Sequence, residues 1–89
     1  MLRQGSLSAM AQVTLRLFAS ARVAAGVGRA AFEAGTVGEV LDLAKERYGA
    51  EFVAVLSTCR IWRNGQPAQR CEETVAGDEV AVLPPVSGG

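Results

Sequence analysis

Histidine is missing altogether from this sequence of 89 residues. Its absence removes the commonest general base and the commonest protein ligand of transition metals. Cysteine is scarce, because Cys59 and Cys71 are the only two, and they do not form a CxxC pair. A zinc site would need a further soft ligand, and nothing marks the chain as secreted. We therefore expect two reduced thiols, at least partly buried, and no metal site.

Net charge is also missing, since nine Lys and Arg residues balance nine Asp and Glu residues. No basic tract occurs, which argues against nucleic-acid binding. No apolar run reaches the roughly eighteen residues of a membrane span, and no stretch of signal-peptide length follows Arg3. These features predict a cytoplasmic protein that binds neither nucleic acid nor membrane.

The length indicates one small domain with room for about one helix and a few strands around a single core. Residues 1–11 are mixed and weakly polar, and we expect them to be a disordered leader or a remnant of cloning, with Met10 as a candidate natural start. The folded domain is predicted to span residues 12–83, and residues 84–89 form a C-terminal tail.

Alternation of apolar residues predicts strands at both ends of this domain. A first strand from Gln12 places its core residues on one face, and a helical turn with a loop separates it from an antiparallel strand at 30–34. A strand after Cys59, the turn Asn64-Gly65 and a short edge strand at 67–70 come next. The last strand covers 79–83. In the first strand Val13, Leu15, Leu17 and Ala19 alternate with more polar positions, and in the last strand Val80 and Val82 are predicted to face the core. Cys59 and Ile61 should point to one common side.

The clearest element is a helix over residues 36–49. Thr36 and Glu39 form a capping box, and Gly49 is typical of a left-handed C-terminal residue. Residues 50–58 are expected to add a short helical turn. The predicted apolar stripe of the main helix contains Val37, Val40, Leu41, Leu43, Ala44 and Tyr48. These elements predict an α+β fold in which the helix connects adjacent, parallel first and last strands, an arrangement known as the β-grasp.

The chain ends in Pro84-Pro85-Val86-Ser87-Gly88-Gly89. The prolines cannot extend a sheet ladder, and they favour an extended arm that reaches at most roughly 20 Å. Glycines can thread a narrow channel, so the terminal carboxylate could be activated as an acyl-adenylate and converted by a sulfur nucleophile into a thiocarboxylate. Gly-Gly at a chain end also has a simpler explanation, because termini are often small and disordered.

The segment from Gly77 to Gly89 closely resembles the end of the small subunit of molybdopterin synthase, a ubiquitin-like sulfur carrier of the MoaD/ThiS family. The segment Phe18-Ala19-Ser20-Ala21-Arg22, followed by Ala25-Gly26, resembles the end of the first strand and the next turn in that family. The resemblance extends over residues 12–89. It implies a β-grasp domain that acts as a sulfur donor rather than as a stand-alone enzyme.

The resemblance also implies roles for the tail and for partners. Gly89 would be adenylated by an E1-like enzyme with ATP and magnesium, sulfurated from a sulfur donor, and used to deliver sulfur to a pterin precursor in the large subunit. Pro84, Pro85, Val86, Ser87 and Gly88 would be recognised as the arm. The chain has no GxxxxGK[ST] loop, so ATP must be bound by a partner and we expect no cofactor on this chain.

Two positions depart from the family pattern. Arg63 stands where an apolar strand residue is usual, and Val82-Leu83 replaces an aromatic pair before the prolines. By alternation, Phe18 and Leu83 should lie together on the sheet face opposite the helix, beside the root of the tail. Exposed apolar patches usually mark partner sites, so this pair is the predicted docking surface.

Other functions remain open at this stage. Related carriers with similar tails serve thiazole, cysteine or specialised-metabolite biosynthesis, and a ubiquitin-like interaction module with an inert tail would share the fold. Independent catalysis is disfavoured, because Glu72 and Glu73 are adjacent and would point to opposite faces of a strand.

Overall fold

The computed structural model describes residues 11–85. The predicted leader at residues 1–10 and the tail residues Val86, Ser87, Gly88 and Gly89 lie outside this range. In chain order the elements are β1 (Ala11–Leu17), α1 (Ala19–Ala25), β2 (Arg29–Ala34), α2 (Val37–Tyr48), α3 (Ala50–Leu56), β3 (Arg60–Arg63), β4 (Gln66–Pro67) and β5 (Glu79–Leu83).

The strands form one five-stranded sheet in the order β2-β1-β5-β3-β4. β1 runs parallel to β5 and antiparallel to β2, while β3 is antiparallel to both β5 and β4. Parallel neighbours cannot be joined by a tight turn, so the chain between β1 and β5 must cross over. The predicted adjacency of the first and last strands is confirmed, and the fold is the β-grasp.

Within residues 11–85 the core lies on one face of the sheet. Val13, Leu15, Val80 and Val82 are fully buried there, and Leu17 is almost so. Burial of each such side chain contributes about 1.5–3 kcal/mol to folding. They pack in one cluster with the buried residues of β2 and the helices, which are Ala21, Phe32, Ala34, Val37, Val40, Leu41, Ala44, Phe52 and Leu56.

Helix α2 begins as the capping pattern predicts. Thr36 Oγ1 accepts a hydrogen bond from the Glu39 amide at 3.1 Å. The Glu39 carboxylate accepts one from the Gly35 amide at 2.6 Å, one residue before the position expected for the reciprocal bond. The predicted stripe is too wide, because Leu43 is 38% exposed and lies outside the buried face.

Two further helices form where the sequence predicted only single turns. α1 ends at Gly26 in the left-handed conformation (φ 83°). Gly49 separates α2 from α3 with φ 92° and ψ −170°, so it does not have the predicted left-handed conformation. This extended region with positive φ is open essentially to glycine alone. It redirects the chain and places Phe52 in the core.

The hairpin β3–β4 confirms the Asn64-Gly65 turn, since both residues have positive φ, 51° and 85°. Its second strand covers only Gln66–Pro67, at the sheet edge, instead of 67–70. The Ala68 amide still donates to the Ile61 carbonyl of β3 at 2.9 Å, and the chain then leaves the sheet. Beyond it, the Gln69 amide donates to the Glu72 carboxylate and the Arg70 carbonyl accepts from the Gly38 amide. Polar partners outside the sheet therefore replace ladder bonds.

Candidate functional site

The sheet surface opposite the helices, called here the open face, carries the candidate site. Arg16 on β1 is paired in register with Ala81 on β5, and Ala81 with Trp62 on β3. All three are half-buried, in contrast to the fully buried Val80 and Val82 on the other face. Alternation along β5 thus separates a packed face from an open one.

Phe18 lies at the end of β1 on the open face. Its amide donates to the Val82 carbonyl at 3.3 Å, which continues the parallel ladder one residue beyond Leu17. The Arg16 guanidinium stands 5.2 Å from the centre of the Phe18 ring, a cation–π contact between neighbours on the same face. Ala19 then adopts φ 50° and turns the chain directly into α1. The aromatic ring is therefore held at the strand end.

Leu83 ends β5 at the same end of the sheet and pairs in register with Arg60. Leu83 and Pro84 are half-buried, and Pro85 is exposed. The predicted placement of Phe18 and Leu83 on neighbouring strand ends beside the root of the tail agrees with the structure. The predicted reacting residue, Gly89, lies outside the described residues, as does the rest of the arm beyond Pro85.

Trp62 belongs to this surface, although it was not among the site residues predicted from the sequence. It lies on β3 opposite both Ala81 and Pro67. The signal was present, because Cys59 and Ile61 were predicted to point to one side of the strand, and the neighbouring Trp62 must then point to the other. We define the open-face patch as Phe18, Trp62, Ala81 and Leu83.

Cationic side chains border the open-face patch. Arg16 donates to the Glu79 carboxylate at 3.1 Å, with both side chains partly exposed. Arg60 is exposed, and within residues 11–85 it takes part in no salt bridge. An apolar centre with an arginine rim fits a protein partner that presents apolar side chains and carboxylates.

Arg63, the departure from the family pattern, does not disturb the register of β3. It lies opposite Val80, on the side of the sheet that faces the helices. Its Nε donates to Asp78 Oδ2 at 3.0 Å and its Nη1 to Glu72 Oε1 at 3.2 Å. The hydrogen bond from Arg63 to Asp78 raises the pKa of the guanidinium above its usual value. The charge is thus neutralised at the end of the sheet.

Asp78 is a buried carboxylate whose side chain is 6% exposed. It accepts hydrogen bonds from the Asn64 side chain at 2.9 Å and from the Val75 amide at 2.8 Å, besides that from Arg63. Burial alone would raise the pKa of the Asp78 carboxyl, but these donors outweigh it and the pKa is lowered. Asp78 therefore acts as a structural anchor for the start of β5.

The cysteines offer no nucleophile in this surface. Cys59 is half-buried, with its Sγ 3.3 Å from the Val55 carbonyl, and burial raises the pKa of its thiol. Cys71 is exposed, against the expectation that both thiols would be partly buried, and both are free. Among residues 11–85 no group of three or more Cys, Asp or Glu residues could hold a metal ion.

The described part also contains no helix long and apolar enough to cross a membrane.

The profile of the ThiS family matches residues 15–89, which is most of the chain. The chain belongs to the ThiS family. It is therefore a ubiquitin-like sulfur carrier of the MoaD/ThiS type, as the resemblance over residues 12–89 implied. As a ThiS-family protein it is 35% identical over 83 residues to a molybdopterin synthase sulfur carrier subunit of Chlamydomonas reinhardtii, and the match covers 88% of this chain and 99% of that protein.

Solved structures agree with the ThiS-family fold. The crystal structure of SAMP1 from Haloferax volcanii matches with a TM-score of 0.77 and 33% identity, over 88% of this chain and 99% of that one. A chain from the complex of subunits 1 and 2 of the molybdopterin-converting factor from Helicobacter pylori also matches. Its TM-score is 0.69 and its identity 23%, over 88% of this chain and 99% of that one. The latter likeness concerns the fold alone.

Proposed function

We propose that this ThiS-family chain is the small subunit of a molybdopterin synthase, and that it carries sulfur as a thiocarboxylate on Gly89. The observation that supports this most strongly is the similarity to the algal sulfur carrier subunit, which extends over 99% of that protein. The chain also ends in Gly88-Gly89, only a few residues after the root of the arm at Pro84. Molybdopterin synthesis is thus the proposed destination of the sulfur.

The proposed chemistry takes place on the terminal carboxyl group. A carboxylate oxygen of Gly89 attacks the α-phosphorus of ATP on an E1-like enzyme, pyrophosphate leaves, and an acyl-adenylate forms. Hydrosulfide supplied by a sulfur donor then attacks the acyl carbon, AMP leaves as the acyl–oxygen bond breaks, and loss of the S–H proton leaves the thiocarboxylate. ATP and magnesium belong to the activating enzyme in this scheme, because this chain supplies no phosphate loop for them.

The open-face patch is the proposed docking site for the activating enzyme and for the large subunit of the synthase. A partner that holds Phe18 and Leu83 also holds the root of the arm, because Pro84 follows Leu83 directly. The terminal glycines then reach the partner's active site from a fixed starting point, which replaces a random search by positioning. The solved pairing of subunits 1 and 2 in a protein of this fold supports a large-subunit partner.

A second candidate uses the same activated terminus for a different acceptor. SAMP1 of Haloferax volcanii is 33% identical to this chain, and a related crystal structure is named small archaeal modifier protein 1. If an amine attacked the acyl-adenylate in place of sulfur, an amide would join Gly89 to another protein. Thiazole and cysteine pathways remain alternative destinations for sulfur, because a thiocarboxylate would serve them equally.

Intact-mass spectrometry tests the proposed function. The full chain is incubated with its activating enzyme, ATP, magnesium and a sulfur donor, and we expect one oxygen to be exchanged for sulfur. Deleting Gly89 should abolish the exchange while the melting temperature stays unchanged, because the buried core lies between Val13 and Val82. Val23→Ala, on an exposed residue of α1 away from the arm, is the control and should react normally.

Two outcomes would contradict the proposal. Sulfur transfer by the Gly89 deletion would remove the carrier chemistry from the terminus. A mass increase in other proteins, without a thiocarboxylate on this chain, would favour the modifier function. Transfer of sulfur to a pterin precursor by the reconstituted pair of subunits would then separate molybdopterin synthesis from the other pathways.

A further inference from the structure

The outer edge of β2 lies at the end of the sheet away from the open-face patch. Within residues 11–85, β2 pairs only with β1, and it forms one end of the sheet. The other end is β4, whose two residues include Pro67, which has no amide donor. β2 is six residues long and contains neither proline nor glycine. An edge of this kind is a template for another strand.

The hydrogen-bonding pattern between β1 and β2 shows which residues of β2 have backbone groups free to bind a partner strand. The Leu17 amide donates to the Gly28 carbonyl at 2.9 Å, while the Thr14 amide on the same strand donates to Asp78 on the β5 side at 3.0 Å. Odd-numbered residues of β1 therefore bond to even-numbered residues of β2. Arg29, Ala31 and Glu33 must then direct their N–H and C=O groups outward.

Two oppositely charged residues of this edge lie at equal distances on either side of Ala31. Arg29 and Glu33 are both exposed, lie two residues on either side of Ala31, and carry opposite charges. Like charges on an edge would keep two copies of the strand apart. In an antiparallel pair centred on Ala31, each Arg29 instead stands opposite Glu33 of a second copy. Opposite charges that face each other across a strand pair are stabilising.

The groove between β2 and α2 has room for the side chains that a second copy would place on the helix-facing side of such a strand pair. A recess of about 600 Å³ is lined by Ala31, Phe32 and Glu33 together with Leu43, Glu46 and Arg47 of α2. Phe32 would stand opposite the small Ala30 of a second copy, and its ring is covered by the Arg47 guanidinium at 4.2 Å. Leu43, which the core leaves 38% exposed, borders this recess.

We propose that two copies of this chain pair through β2, antiparallel and in register about Ala31, so that their two sheets become one. In this register, the Ala31 pair and both Arg29–Glu33 pairs are hydrogen-bonded pairs that exchange both N–H···O bonds. The occupant is a second copy, because β2 is complementary to itself. Arg29 would face Glu33, the large Phe32 would face the small Ala30, and the backbone groups that point outward would pair with each other. The pairing is isologous and therefore closes as a dimer.

The dimer leaves the open-face patch free. β1 separates β2 from β5, and the two-fold axis runs perpendicular to the sheet, so both patches face the same side. Each copy therefore keeps the root of its arm at Pro84 accessible. The inference does not depend on the proposed sulfur chemistry, since it uses only β2 and its neighbours.

Charge reversal at the edge tests the pairing by sedimentation equilibrium of the full chain. Wild-type protein should show a concentration-dependent dimer. Arg29→Glu and Glu33→Arg should each weaken it by tenfold or more, on the order of 1.4 kcal/mol. A mixture of the two variants should associate again, because each Glu then faces an Arg, and the double variant R29E/E33R should dimerise by itself. Glu51→Arg on α3 makes the same charge change away from the edge and should dimerise normally.

A disulfide probe tests the register independently. With Cys59→Ser and Cys71→Ser in the background, Ala31→Cys should cross-link two copies, because hydrogen-bonded antiparallel partners have Cα atoms about 5.5 Å apart, within disulfide range. Glu33→Cys in the same background should not, since its two copies would be more than about 7 Å apart.

Wild-type protein that stays monomeric at every concentration would overturn the proposal. It would equally fail if the mixed charge variants did not associate, or if Glu33→Cys cross-linked as readily as Ala31→Cys. Association that needs an added extended peptide in place of a second copy would assign the edge to a different protein.

Discussion

Arg63 and Asp78 join the end of β3 to the start of β5, with Arg63 Nε donating to Asp78 Oδ2 at 3.0 Å. Asp78 is 5% exposed, and Asn64 in the hairpin turn donates to its other oxygen. The Glu79 amide in turn donates to the Asn64 side chain at 2.9 Å. The departure from the family pattern at Arg63 is thus matched by acidic and amide partners in the adjoining turns.

Asp78 should make the stability of the domain depend on acid. The pKa of its carboxyl is lowered in the folded state, so its contribution is complete above the unfolded pKa of about 3.9. The contribution is lost as the pH falls through the lower folded pKa. Removing this acceptor loses three part-buried hydrogen bonds to a charged group, so Asp78→Ala should cost about 1–3 kcal/mol at pH 7, and less below the folded pKa.

Urea unfolding across a pH series measures this effect. Asp42→Ala is the matched control, because Asp42 forms only exposed ion pairs with Arg70 and Lys45, and such pairs contribute about 0–1 kcal/mol. If the difference between wild type and Asp78→Ala did not shrink in acid, the charged form of Asp78 would not be the stabilising one.

The cap of α2 should contribute measurably to stability. Thr36 Oγ1 accepts from the Glu39 amide, and Thr36→Ala leaves that donor without its partner in the fold. We expect a loss of about 1 kcal/mol in the free energy of unfolding. Thr36→Ser keeps the acceptor oxygen and should retain most of the stability, as urea unfolding can show. Equal losses in both variants would mean that the methyl group, and not the cap, is what matters.

The open-face patch should control partner binding without controlling folding. Phe18→Glu and Leu83→Glu each place a charge beside the root of the arm, and each should weaken binding to the large subunit or the activating enzyme by tenfold or more, on the order of 1.4 kcal/mol. Both residues are only half-buried, so the domain should still fold. Trp62→Glu should behave in the same way.

Titration calorimetry on the folded variants provides the measurement. Val23→Glu, on a residue of α1 that is 81% exposed, introduces the same charge outside the open face and should bind like wild type. Wild-type affinity in the Phe18, Trp62 and Leu83 variants would place the docking surface elsewhere on the molecule.

Much of this fold could be predicted because its signals are local. The alternation in β1 and β5 identified Val13, Leu15, Val80 and Val82 as core residues, and all four are fully buried. The Asn64-Gly65 turn and the Thr36 cap were read from neighbouring residues, whose conformations depend mainly on the chain next to them. The tail chemistry was suggested by the last six residues together with the resemblance over residues 12–89, and it remains a proposal.

Other features depended on contacts between residues far apart in the sequence. The exposure of Leu43 followed from the rotation of α2 on the sheet, and the role of Arg63 followed from the approach of Asp78, fifteen positions away. The short helices α1 and α3 contain too few residues for a periodic pattern to be distinctive, and they are stabilised mainly by packing.

The sequence by itself determined which residues prefer the interior and where the chain turns, since these preferences arise from single side chains and their near neighbours. Only the tertiary structure decided which strands adjoin, that Trp62 shares a surface with Phe18 and Leu83, and that no strand within residues 11–85 covers the outer edge of β2. The physical reason is that strand order and the set of free edges depend on long-range pairing, which no local pattern records.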